Sequence, residues 1–254
     1  IDRYAAIVIA APRKAIDEKD KFIIDQYIMN GGRVLWLAEE VTVNPDSLAA
    51  GATVALYEPL TINDMLFRYG ARINPVMVQA ADCMLIPLKV SNPGGDAQYV
   101  PAPWVYYPLL RPSQDHPITR NLNRVKAEFA GTVDTVGRDP GVKKSILLTT
   151  SPEARTVMPP VLISLEEAAE TVPDEMFNAG PLPVAVLLEG TFRSVFANRM
   201  VESIMNEPGL EAVTQSKPTR MIVIADGDII RNEISWSGGN PEPLTLGLDR
   251  YTMQ

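Results

Sequence analysis

Apolar residues recur along the chain in short continuous runs, and these runs define its elements. Tyr4-Ala-Ala-Ile-Val-Ile-Ala10 has strand length and the pattern of a strand covered on both faces. A helix follows, with Asp17, Glu18 and Asp20 in its first turn, where the helix dipole favours negative charge. Ile16, Ile23, Ile24, Tyr27 and Ile28 share one stripe, and Gly31-Gly32 closes the helix. Arg33-Val-Leu-Trp-Leu-Ala38 continues at once as a second buried strand. Strand, helix and strand within about 35 residues form a βαβ unit, which implies a parallel sheet.

Residues 40–60 carry Asn44-Pro45-Asp46-Ser47 and little periodicity, so a long loop is expected there. A second helix is predicted from Thr61, with Asp64 as its capping-box partner. Ile62, Met65, Leu66 and Tyr69 keep the helical spacing until Gly70 stops it. Pro75–Gln79 and Met84–Val90 read as strands, the latter held to an edge or a bulge by Pro87. An irregular Pro-rich excursion is expected over about 91–140, with Pro101, Pro103, Pro108, Pro112 and Pro117 breaking its regularity. A strand at 124–134 lies within it, and Lys144–Thr150, Pro183–Leu188 and Arg220–Ala225 complete the series. The expected fold is one α/β domain over 1–254, built on a parallel sheet.

Composition narrows the function. The 254 residues carry 23 Lys and Arg against 31 Asp and Glu, a net charge of −8, which argues against a nucleic-acid partner. One Cys and one His exclude an intrachain disulfide and a Cys/His zinc cluster. No apolar run reaches membrane-spanning length, and the chain opens on Ile1, as expected for a soluble piece of a longer protein.

Known catalytic patterns are missing: no Gly-x-Gly-x-x-Gly, no Walker-type loop, no His-Glu-x-x-His and no Gly-x-Ser-x-Gly. Cys83 opens an apolar strand beside Asp82 and reads as a buried, inert thiol. His116 sits in the turn-like Asp115-His116-Pro117. Two features remain as candidate binding sites. Asp226-Gly227-Asp228 follows a buried strand, where open α/β sheets bind ligands; its carboxylates either hold Mg²⁺ with a phosphate or cap a turn. Trp104, Tyr106 and Tyr107 either form a platform for a carbohydrate or peptide or fill a satellite core.

Several phrases together resemble a known family. They are Phe22–Leu37, Ile62–Ile73, Trp104–Leu110 with Asp115–Thr119, Val186–Ser194 and Met221–Asp228. In order and spacing they resemble the gliding-motility-associated auxiliary component of an ABC-type transporter, the GldG family. The resemblance implies a flavodoxin-like parallel sheet related to class I glutamine amidotransferases and to a module of intraflagellar-transport proteins. It also implies a domain on the periplasmic side of the cytoplasmic membrane, anchored by segments outside this chain, with an ABC permease and its ATPase as partners. Amidotransferase chemistry needs a Cys on a nucleophile elbow and a His-x-Glu pair. Cys83 has no elbow, and the sequence at the histidine reads His116-Pro117-Ile118. The resemblance therefore implies no catalytic residues, no metal and no cofactor. The expectation is a non-enzymatic auxiliary domain binding through Trp104, Tyr106, Tyr107, Asp226 and Asp228. The alternative is a metal-assisted hydrolase or phosphoryl-handling enzyme using Asp226 and Asp228.

Overall fold

The computed structural model describes residues 1–90, 98–169, 172–198, 212–231, 234–235 and 242–243. At the N-terminus, β1 (Ala6–Ala10), α1 (Glu18–Met29) and β2 (Arg33–Leu37) form the βαβ unit, with Val8 opposite Leu35 in a parallel pair. Asp17 caps α1 by accepting from the Asp20 N–H at 2.8 Å, and Gly31 leaves the helix at φ 97°, a conformation that favours glycine.

Residues 40–60 are more regular than their weak periodicity predicts. They hold β3 (Val41–Thr42), α2 (Pro45–Ala49) and β4 (Ala52–Tyr57). The Asn44 side chain accepts from the Asp46 and Ser47 N–H groups, and Pro45 takes the first turn, where no N–H is needed. α3 (Asn63–Tyr69) ends at Gly70 as the pattern predicts, but Ile62 stands at its N-cap. Thr61 instead clasps the backbone of Ile16, its hydroxyl accepting from N–H at 2.8 Å and donating to the carbonyl at 3.2 Å.

The chain continues through β5 (Ala71–Asn74), β6 (Met77–Ala80), β7 (Cys83–Val90) and β8 (Gln98–Pro112). β8 runs for 15 residues through the stretch expected to be irregular. Its first half pairs with β7 alone, and Pro101 faces Pro87. Proline nitrogens occupy positions with no ladder bond to give, so the strand survives them. The expected strand at 124–134 is divided into β9 (Val125–Lys126) and β10 (Thr132–Thr135). Then come β11 (Val142–Thr149), β12 (Ala154–Val157), β13 (Val161–Ser164), β14 (Pro183–Gly190) and β15 (Thr219–Ile224).

The main sheet has eight strands in the order β1-β2-β15-β14-β11-β8-β7, with β9 on β8. Among the described strands, β1–β2 and β2–β15 are the parallel pairs; β15–β14, β14–β11, β11–β8, β8–β7 and β8–β9 are antiparallel. This corrects the expected parallel, flavodoxin-like or amidotransferase-like α/β fold: the molecule is mostly β, with a mixed and largely antiparallel sheet. The physical reason lies in the connections. Parallel neighbours need a crossover between them, and α1 supplies one between β1 and β2. Among the described residues, no long helix separates β11 from β14 or β14 from β15. A buried apolar run looks the same in either direction.

One face of the sheet packs on α1 and α3 around Ile28, Trp36, Met65, Leu66, Val186 and Val223. A second cluster, around Leu110, Leu147, Val184 and Leu187, belongs to the antiparallel strands. A third joins β6 and β8 to β4 and β13, centred on Trp104, Tyr106, Met77 and Ile163. Asp25 on α1 is fully buried and satisfied, accepting from Tyr69 Oη and Ser194 Oγ at 2.7 Å each and from the Val195 N–H at 3.0 Å. It ties α1 to α3 and to the turn after β14.

Candidate functional site

β1, β2 and β15 run in the same direction, so their C-terminal ends deliver three chain segments to one edge of the sheet. Such ends are where open α/β sheets bind ligands. The segments are Ala11–Lys14, Ala38–Glu40 and Ala225–Asp228. They meet at Gly227, where an added Cβ would lie 2.5 Å from Glu39 Oε2 and 2.9 Å from both Cα and Cβ of Ala11. Only glycine lets the third segment approach this closely.

Asp226 is buried under that contact, 1 % exposed. Its Oδ2 accepts from the Glu128 N–H at 3.0 Å and its Oδ1 from the Asp228 N–H at 2.8 Å. Burial pushes its carboxyl up to about 7, against the pull of the Glu128 N–H and with the help of the Glu39 charge. Glu39 is raised as well, mainly by burial, although it accepts from the Gly227 N–H and faces Arg13.

Around these two carboxyls the charges alternate. Arg13 reaches Glu39 at 3.4 Å and Asp228 at 4.0 Å. Arg231 lies 3.7 Å from Asp228 and pairs with Glu128, which also meets Lys126 at 2.8 Å. Burial works to lower the Arg231 pKa, but Glu128 and Asp228 outweigh it and hold the guanidinium charged. Lys126 Nζ stands 5.5 Å from the centre of the Tyr107 ring, a cation–π contact that joins the two candidate regions. Beside this network, Ala11–Ile16, Glu39, Thr42 and 58–62 line a small cleft of about 60 Å³. Behind it Glu40, raised by burial, accepts from the Leu60 N–H and from the Asn63 side chain, fixing the start of α3 against the end of β2.

The aromatic candidates occupy two environments. Trp104 and Tyr106 are each 1 % exposed and pack at 5.1 Å between ring centres. The β7–β8 register jumps from Cys83↔Pro108 to Met84↔Trp104, so residues 105–107 bulge out of the ladder. Tyr107 is half-buried, edge-on to Phe129 at 5.2 Å, with its hydroxyl raised by burial and by Glu128. Trp104 and Tyr106 therefore build the core, and Tyr107 alone of the three reaches the charged edge. Cys83 is pushed up to about 11 by burial, and His116 Nδ1 accepts from the Ile118 N–H at 3.2 Å.

The sequence reading found Asp226 and Asp228 but missed Arg13, Glu39, Glu128 and Arg231. The rule that singled out the acids after β15 applies equally to Arg13 after β1 and Glu39 after β2. Glu128 carries no such signal, because it comes from the segment between β9 and β10. Among the described residues, no group of three or more His, Cys, Asp or Glu is placed to hold a metal ion. Nor is any helix there long and apolar enough to cross a membrane.

No curated protein matches the chain. Among solved structures, the mmIFT52 N-terminal domain is similar at 13 % identity and a TM-score of 0.42, covering 89 % of this chain and 67 % of that one. The family described as an ABC-type uncharacterized transport system matches residues 1–254 throughout, and the chain belongs to that family as an auxiliary component.

Proposed function

We propose that this chain is a non-enzymatic interaction domain, held on the periplasmic side of the cytoplasmic membrane by anchoring segments outside residues 1–254. There it works beside the permease and ATPase subunits of its ABC-type system. The observation that carries this reading is the family match along the whole of 1–254. The phrases that resemble gliding-motility components, Phe22–Leu37 and Met221–Asp228 among them, favour that branch of the family.

The site's chemistry supports binding over turnover. A thiol at about 11 stays protonated at neutral pH and is a poor nucleophile. Both Asp226 oxygens are engaged by backbone N–H groups, which disfavours the metal-assisted reading. What the edge offers to solvent is charge: Arg13 and Arg231 are about half exposed on either side of Asp228. Such an arrangement suits a partner with a complementary polar face, where rim charges set orientation and association rate.

Cross-linking in cells, followed by co-purification of the full-length protein from its native membrane, tests this. A permease and an ATPase should be recovered with the wild type, and Arg13→Ala, which adds no new charge beside Glu39 and Asp228, should reduce that recovery about tenfold with thermal stability close to wild type. Recovery of neither subunit with the wild type would overturn the reading.

A further inference from the structure

Among the described residues, the first strand of the main sheet has one edge that no strand pairs. Among the described strands β1 pairs with β2 alone, and it is the terminal strand of the sheet order. Ala11 N–H donates to Leu37 O at 2.9 Å, while Ala10 is the residue that faces Leu37 across the ladder. Backbone direction alternates along a strand, so residues 7, 9 and 11 turn their N–H and C=O groups toward β2. Those of Ala6, Val8 and Ala10 point away from it. Among the described residues nothing accepts from or donates to these outward groups.

The edge also lacks the usual protection. Natural sheet edges carry charges, prolines or bulges that discourage pairing with another chain. Here no charged residue, proline or bulge occurs from Tyr4 to Ala11, and Val8 at the centre is 55 % exposed. A strand of this composition was expected to be covered on both faces, yet its outer face is open.

The sequence of the edge says what fits it. Ala5-Ala-Ile-Val-Ile-Ala-Ala11 reads the same in both directions. We infer that β1 is a dimerisation edge, pairing antiparallel with β1 of a second copy about a twofold axis through Val8. Pairing on that axis sets Val8 opposite Val8, Ala6 opposite Ala10 and Ile7 opposite Ile9. The residues whose backbone groups point outward fall on the hydrogen-bonded positions, giving about six N–H···O=C bonds in three mutual pairs. Equal side chains meet throughout, with no charge facing a like charge inside the strand. One apolar row becomes continuous as well: exposed Val8 and half-buried Leu35 and Ile222 lie in line across β1, β2 and β15, and the axis joins that row to its copy. Ala11, at φ 43°, and Pro12 then turn the chain away and end the ladder. The dimer joins two eight-stranded sheets into one and leaves the charged strand-end site of each copy outside the paired segment.

A hydrogen-bonded edge of this length makes a small interface, so association is expected in the micromolar range. Sedimentation of the 254-residue chain from about 5 to about 200 µM should show the average mass rising toward that of a dimer. Val8→Pro removes an N–H that β2 does not use, so it should abolish the rise while leaving the circular dichroism and melting temperature near wild type. Val8→Lys keeps the N–H but sets two like charges on the axis, and it should weaken association at least tenfold; it decides the matter if Val8→Pro fails to fold. A wild-type chain that stays monomeric to 200 µM, or a dimer that survives Val8→Lys, would overturn the inference.

Discussion

The two ends of the main sheet solve different problems with similar apolar strands. At the parallel end, β1, β2 and β15 finish on the same side, so the residues just past them converge even though they lie far apart in sequence. Arg13, Glu39, Asp226 and Asp228 are gathered this way. At the antiparallel end, β7, β8, β11 and β14 alternate in direction, so their polar ends are divided between two sides, and the charges that do meet there are Asp82 with Arg111 and Arg124 at the start of β7. That end is held by aromatic packing around Trp104. Parallel pairing makes a site and antiparallel pairing makes a core, and Tyr107 under Lys126 marks where they touch.

Three substitutions can break or sharpen this contrast. The largest effect belongs to Trp104→Ala, which removes the centre of the cluster formed with Tyr106 and Tyr107. It should cost about 3–5 kcal/mol in denaturant unfolding. A cost under about 1 kcal/mol would mean that the antiparallel end is not held by this packing. Gly227→Ala comes next, at about 1–3 kcal/mol, because the new methyl meets the Ala11 backbone and the Glu39 carboxylate. An unaffected Gly227→Ala would show that the three strand ends do not pack tightly and do not converge on one site.

The third effect is read in pH. The Asp226 carboxyl is raised in the folded state to about 7, while in the unfolded chain it titrates near its ordinary value of about 4. The folded form therefore holds a proton that the unfolded form gives up. The stabilisation is complete below about pH 4, is lost as pH rises through about 7, and is flat beyond. Unfolding midpoints should be higher at pH 5 than at pH 8, with Glu39 contributing in the same direction. Asp226→Asn should flatten that difference, while leaving one N–H donor without its carboxylate acceptor. An undiminished pH difference in the variant would remove Asp226 as its source.

Much of the parallel end is legible in the sequence. The acidic residues Asp17, Glu18 and Asp20 mark the start of α1, with Asp17 its cap rather than part of its first turn; Gly31 and Gly70 fall where the helices stop, and Asp226-x-Asp228 follows a strand end. These are local signals, written within a few residues of their effect. The direction of β11, β14 and β15 is not local. Ile222 has the same apolar neighbours whether Leu187 beside it runs with it or against it, so pattern alone extended the first βαβ unit across the sheet. β8 was obscured for another reason. Its prolines forbid a ladder only on the side where an N–H is needed, and the sequence does not say which side is free. The partners of Asp226 were hidden by distance, since Glu128 lies 98 positions away in the chain.

One feature bears on how the molecule is made. β15 lies between β2 and β14, although it is the last strand of the sheet to be synthesised. Until residues 219–224 leave the ribosome, β2 has no partner on that side and the first βαβ unit waits with an open apolar edge. Pairing over such separations is slow, and it leaves unpaired strands exposed to aggregation in the meantime. A chain stalled or truncated before Thr219 would therefore lack the strand that joins the two halves of the sheet. The growing protein depends on the last strand of its main sheet to close the open side of β2.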